Sequence, residues 1–123
     1  MQGVSVLLVE DNKVNQMIVT SMLKQLGCLV DTASNGLEAV SMADRKAYAI
    51  IFMDCQMPVM DGYEAAARIR AAEKEHGLAA TPIVALTAGN DQDDREKCLQ
   101  AGMNEYLPKP VSLDVVRAVL DQL

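Results

Sequence analysis

An open, doubly wound α/β sheet of the (βα)5 kind is the fold this sequence predicts, on three observations. Five short apolar runs of strand length alternate with stretches whose apolar residues recur at helical spacing. Three of those runs are almost continuously apolar, the pattern of parallel strands covered on both faces. The 123 residues suffice for one domain but hold too few βα units for an eight-strand barrel.

The first run is Val4–Val9 (VSVLLV). A helical stretch, Asn12–Leu26, follows with Val14, Met17, Ile18, Met22 and Leu26 as its apolar residues, and Gly27 as a left-handed stop. Cys28–Ala33 is the second strand. Asn35, with Glu38 three residues on, opens the second helix as a capping box. Tyr48–Met53 is the third strand, and Asp61 with Glu64 starts a third helix that runs toward Glu75 and ends near Gly77. Pro82–Leu86 is the fourth strand. Asn90 and the acidic turn Asp91, Asp93, Asp94 suit the positive end of a fourth helix, closed by Gly102. Asn104–Leu107 is a short fifth strand, and Ser112 caps a last helix striped by Leu113, Val116, Val119 and Leu120. Right-handed crossovers between parallel strands leave an open, doubly wound sheet, for which the flavodoxin-like order 2-1-3-4-5 is expected.

Composition excludes several classes. Seventeen acidic residues against 11 basic give a net charge of −6, which repels phosphate backbones and argues against direct nucleic-acid binding. No apolar run approaches the ~18–20 residues of a membrane span, so no membrane contact by this domain is expected. Cys28, Cys55 and Cys98 are three well-separated cysteines without a CxxC pair, which fits a reducing cytoplasmic setting better than a disulfide framework or zinc site. With no linker or repeat, residues 1–123 read as a single domain.

In open α/β sheets, ligands sit beyond the carboxyl ends of the strands where the strand order reverses, here between strands 1 and 3. Strand 1 ends in Glu10-Asp11, strand 3 in Asp54 and strand 4 in Thr87; strand 5 is followed by Lys109. Neighbouring strands lie ~4.8 Å apart, so the carboxylates converge. Three carboxylates in one crevice call for a cation, and oxygen ligands suit Mg2+. Asp54 as nucleophile, Mg2+ and Lys109 as countercharges and Thr87 as hydrogen-bond donor form a set suited to phosphoryl transfer.

The stretches VLLVEDNKVNQ, FMDCQMPVMDGYEA, PIVALTA and AGMNEYLPKP resemble the response-regulator receiver domain, the phospho-acceptor module of two-component signalling. The resemblance runs from Val6 to about Leu120. It implies that Asp54 accepts the phosphoryl group and that Asp11 binds Mg2+ directly. It also implies that Glu10 assists through water and that Gln56 offers its backbone carbonyl to the metal. Thr87 and Lys109 would bind the phosphoryl oxygens, Tyr106 would be the aromatic switch, and Lys109-Pro110 would be a cis peptide. The implied function is a phosphorylation switch that reshapes the face of helix 4, strand 5 and helix 5, a phospho-acceptor domain rather than an enzyme. The implied partners are a histidine kinase or histidine phosphotransfer domain, with weak homodimerisation. VEDNKVNQ followed by MDCQMPVMDG is most like receivers of hybrid histidine kinases and phosphorelays; a stand-alone response regulator is the alternative.

Two other functions compete. A Mg2+-dependent aspartyl phosphatase of the haloacid-dehalogenase kind needs a second Asp two residues after the nucleophile, where Gln56 stands. An FMN binder needs a Ser/Thr/Gly-rich loop after strand 1, where Glu10-Asp11-Asn12 would repel phosphate. His76, the single histidine, reads as a solvated surface residue. Cys55 reads as packing, and Met57 and Met60 as loop residues within a partner's reach.

Overall fold

The computed structural model describes residues 3–88 and 92–122. Its strands are β1 (Ser5–Val9), β2 (Leu29–Ala33), β3 (Ile50–Asp54), β4 (Ile83–Thr87) and β5 (Glu105–Pro108). They alternate with α1 (Lys13–Gln25), α2 (Gly36–Arg45), α3 (Gly62–Glu75), α4 (Gln92–Gln100) and α5 (Leu113–Asp121). The five strands form one parallel sheet in the order β2-β1-β3-β4-β5, the order the sequence predicts.

The strands' alternation sorts the core into two layers. Leu7, Val9, Ile51, Met53, Ile83 and Ala85 face one way, packed with Ala39 of α2, Ala65, Ala66 and Ile69 of α3 and Cys98 of α4. Val6, Leu8, Ile50, Phe52, Val84 and Leu86 face the other way, against Val19 and Leu23 of α1 and Val116 and Leu120 of α5. β3 and β4 are buried along their whole length. Each large apolar side chain sunk there contributes about 1.5–3 kcal/mol. Among the described residues no helix is long and apolar enough to cross a membrane.

The caps are where the sequence puts them. Asn35, Asp61 and Ser112 accept hydrogen bonds from the amides of Glu38, Glu64 and Val115, and Asn12 does so for Asn15. Gly27, at φ +90°, turns the chain out of α1. Asp93 and Asp94 lie in the first turn of α4; Asn90 and Asp91 lie outside the described residues.

Three readings need correction. On α1 the residues sealed into the core are Val19 and Leu23, with Met22 and Leu26 half-buried. Val14, Met17 and Ile18 are 64%, 71% and 49% exposed. At ~100° per residue those three fall to the outward side of the line through Val19 and Leu23. Met60 is buried against the core, because its backbone turns inward to accept the Gly36 amide (3.1 Å). β3 starts at Ile50 rather than Tyr48, because the chain bends at Ala49 before the ladder begins; the Tyr48 hydroxyl donates to Asp31 of β2 (2.8 Å).

Candidate phosphoryl-transfer site

Register brings the acidic residues together. β1 and β3 pair Val9 with Met53, so the next residues, Glu10 and Asp54, stand level at the carboxyl edge. β3 and β4 pair Asp54 with Leu86, and β4 and β5 pair Thr87 with Pro108. Lys109 follows at once, its amide donating to the Thr87 carbonyl (2.7 Å). The Lys109-Pro110 peptide is cis.

The result is a cleft of about 250 Å³ lined by Glu10, Asp11, Asp54, Gln56, Thr87 and Lys109 among others. Glu10 and Asp54 are only 1% and 4% exposed, and Asp11 stands out into solvent. Carboxylate oxygens from Glu10, Asp11 and Asp54 all lie within 4.8 Å of one another. The Lys109 ammonium is 2.9 Å from Asp54 Oδ2 and 3.2 Å from Glu10 Oε2. Asp54 Oδ1 accepts the Gln56 amide (3.1 Å), and Glu10 Oε1 accepts the Asn12 amide (3.1 Å). Asp11 makes no hydrogen bond or ion pair among the described residues.

Electrostatics follow from that arrangement. Burial raises the Glu10 carboxyl above its ordinary value; the Asn12 amide opposes the shift and the Asp54 charge adds to it. Burial pulls the Lys109 ammonium down, but its hydrogen bond to Asp54 and the charges of Asp54 and Glu10 outweigh it, and the net shift is upward. One cation therefore serves two sunken carboxylates, and a third carboxylate faces them. Hard oxygen donors of this kind fit Mg2+.

Thr87 is buried at the end of β4, and Tyr106 is half-buried in β5, its ring under the Arg95 guanidinium at 6.0 Å. The polypeptide after Asp54 is held tightly. A Cβ on Gly62 would overlap the Asp54 carbonyl oxygen and come within 2.9 Å of Cys55 Cα. Val59 in the same loop has φ +72°, inside a γ-turn in which the Met60 amide donates to the Pro58 carbonyl (2.8 Å). The Cys55 thiol is buried, and burial pushes it up to about 12, so it packs rather than reacts. His76 is exposed at the end of α3.

All the side chains expected at the site converge there except Tyr106, which stands along β5 two residues before Pro108, the partner of Thr87. Two features escaped the sequence. Glu10, expected as an outer helper, is the most deeply buried carboxylate and pairs directly with Lys109. The Asn12 amide, which holds Glu10 in place, carries no sequence signal because any residue but proline supplies it.

Comparison with known proteins agrees with the geometry. The response regulator receiver domain family matches residues 6–121. Hybrid signal transduction histidine kinase B of Dictyostelium discoideum is 47% identical over 114 residues, covering 86% of this chain. The chain spans only 6% of that kinase's length. The receiver domain of sensor histidine kinase PA1611 from Pseudomonas aeruginosa is 48% identical with a TM-score of 0.88, covering 98% of this chain and 96% of that one. That structure has a magnesium ion coordinated in its active-site cleft. The receiver domain of Ssk1 from Saccharomyces cerevisiae, solved with the histidine phosphotransfer protein Ypd1, is 41% identical with a TM-score of 0.94, covering 98% and 88%. By sequence, by sheet order and by the carboxylate cluster at its switch point, this chain belongs to the response regulator receiver domain family.

Proposed function

We propose that residues 1–123 work as a single receiver domain that takes a phosphoryl group from a phosphohistidine onto Asp54. The observation that carries this is the Lys109 ammonium shared between Asp54 (2.9 Å) and Glu10 (3.2 Å), with the unpartnered Asp11 beside them. A nucleophile and its countercharge are already in contact. An Asp54 oxygen attacks phosphorus, the phosphorus–nitrogen bond to the donor's imidazole breaks, and the imidazole leaves. Lys109 turns from the carboxylate to the phosphoryl oxygens, and Thr87 donates its hydroxyl to them. Glu10, Asp11, Asp54 and the Gln56 carbonyl would hold Mg2+, which would supply further neutralisation of the phosphoryl charge.

The donor is a helical phosphohistidine partner, a histidine kinase or a histidine phosphotransfer domain. Val14, Met17 and Ile18 give α1 an exposed apolar stripe next to the cleft. Beside it lies a groove of about 280 Å³ lined by Ile18, Val19, Leu86, Pro110 and Val111, which shares Asn15 and Lys109 with the cleft. That shape receives an apolar helix face and leaves its histidine over Asp54. The curated relatives being much longer than this chain, we place the domain on the cytoplasmic side of a hybrid sensor kinase. Phosphorylation draws Thr87 inward and lets Tyr106 follow, changing the face of α4, β5 and α5. A Thr87 hydrogen bond worth about 1–2 kcal/mol shifts such a population roughly tenfold.

Acetyl phosphate and intact-mass measurement test the reading. Wild type gains the mass of one HPO3 only with Mg2+ present, and Asp54→Asn gains none. Phosphorylation of Asp54→Asn at the wild-type rate would falsify it, as would steady phosphate release from many esters, the behaviour of a phosphatase.

A further inference from the structure

We infer that Gln16 is a positioning residue for the metal cleft: its side-chain amide fixes the Glu10–Asp11 peptide and thereby aims Asp11 at the cation. The inference rests on the Mg2+ reading above and goes beyond it. Gln16 touches none of the reacting atoms.

The argument starts from the sheet edge. β1 and β2 run in register as far as Val9 and Ala33. The Glu10 amide still finds the Ala33 carbonyl (3.0 Å). Past Ala33 the chain bends away into Ser34 and Asn35, so β2 offers no amide to the Glu10 carbonyl. That carbonyl belongs to the same rigid peptide plane as the Asp11 nitrogen. Left without a partner, that plane would be held only through the chain on either side, and Asp11, whose side chain makes no hydrogen bond or ion pair among the described residues, would shift with it.

Gln16 fills the gap. It lies on the inward side of α1, three residues before the buried Val19, and is half-buried there. Its Nε2 donates to the Glu10 carbonyl (3.0 Å) and reaches the Ala33 carbonyl (3.5 Å). One amide group thus ties the last peptide of β1 to the last carbonyl of β2. Its own helix is anchored to the same loop, since the Gln16 backbone amide donates to the Asn12 carbonyl (2.9 Å). Glu10 is held a second way, through the Asn12 amide and Lys109. Asp11 has no side-chain bond of its own and is placed by the two peptide planes that flank it, the Asp11–Asn12 plane held by the Asn12 amide on Glu10 and the Glu10–Asp11 plane held by Gln16. Of the three carboxylates the exposed one, Asp11, is thus the one whose backbone leans on α1.

The test is Mg2+ titration of the metal-free domain by calorimetry and by amide NMR shifts, with wild type, Gln16→Met and Gln16→Glu. Met keeps the length and removes the donor. Glu keeps shape and polarity and presents oxygen to the Glu10 carbonyl. Expected is about a tenfold weaker Mg2+ affinity in Gln16→Met, the low end for loss of an outer-shell partner. Acetyl-phosphate labelling of Asp54 should return to the wild-type rate at saturating Mg2+. Gln16→Glu should also bind Mg2+ more weakly, although an added negative charge near the cleft would by itself tighten binding. This variant decides the question if Gln16→Met does not fold. Folded variants with wild-type affinity, or tighter binding by Gln16→Glu, overturn the positioning role. A wild-type domain that takes no Mg2+ overturns the metal reading itself, and the two failures are told apart by that first titration.

Discussion

Taking away the Lys109 ammonium leaves Glu10 and Asp54 facing each other without a countercharge inside the protein. The Lys109→Ala domain should therefore bind Mg2+ as tightly as wild type or more tightly, because the competing internal cation is gone. Its phosphorylation by acetyl phosphate should fall by about a hundredfold, the scale of losing one charge-stabilising group. A calorimetric titration and a labelling time course check the two halves; a marked loss of Mg2+ affinity would contradict the pairing at 2.9 and 3.2 Å. Val59 makes a separate residue-scale case. A β-branched residue at φ +72° is strained, and at 77% exposure its side chain returns little by burial. Val59→Gly should raise the urea midpoint, for a net gain of about 0.5–1 kcal/mol after glycine's entropy cost. A lower midpoint would mean that the turn carries no strain. At this scale Asp54 and Thr87 were legible because each follows directly on a recognisable apolar run, while Lys109, which comes after Pro108 and a weak fifth run, rested more on its position and on the family resemblance. The division of labour between Glu10 and Asp11 was not, since it depends on the pairing of Val9 with Met53, a register that adjacent letters do not encode.

At the scale of elements, β2 shows how an edge strand is secured. It has α1 on its flank and no strand beyond it, and Leu29 at its start is exposed. Asp31 ties it to the segment before β3, accepting from Lys46 (3.0 Å) and from the Tyr48 hydroxyl (2.8 Å). The Lys46 hydrogen bond, then that of Tyr48, holds the Asp31 carboxyl below its ordinary 3.8. Burial, then Asp31, pushes the Tyr48 phenol up to about 12 from 10.0. The lowered carboxyl contributes stability that is present above pH 3.8 and lost as pH falls through its folded value. The raised phenol contributes stability that is present below pH 10.0 and lost as pH rises through about 12. Asp31→Asn should cost about 0.5 kcal/mol near neutral pH, the scale of a solvent-screened pair. In melting curves across pH the gap to wild type should close at the acid end; a gap independent of pH would rule out the ionic contribution. Strand and helix types were legible throughout, because caps and apolar runs are local. The orientation of α1 was not: Val14, Met17 and Ile18 have the spacing of a core stripe, and only the placing of Val19 and Leu23 against the sheet shows which side is inward.

For the molecule as a whole, the carboxylate cluster sets stability against function. Mg2+ binds the folded cleft and not the unfolded chain, so it should raise the melting temperature. The gain is about 2.7 kcal/mol at a hundred times the dissociation constant. Asp11→Asn should lose most of that gain, yet melt above wild type when both are free of metal, because one of three crowded charges is gone. Melting curves with and without Mg2+ read both effects; an unresponsive wild type would count against the metal site. The doubly wound class was legible from the alternation of runs and helices, whereas the order 2-1-3-4-5 came from likeness to flavodoxin-like folds, since alternation alone also allows other orders.

The site residues sit at the carboxyl ends of the strands, and Gly3, which precedes β1, sits at the opposite end. The Gly3 amide donates to the Gly27 carbonyl (2.9 Å) in the turn that closes α1. A tether joined on the amino side of β1 would therefore leave the cleft open. A phosphohistidine module carried on such a tether would meet Asp54 at an effective concentration fixed by linker length, in the millimolar range for a short flexible one. Even a weak apolar contact with α1 would then suffice for transfer within one polypeptide, while a free partner without the tether would need a tighter grip on the same helix.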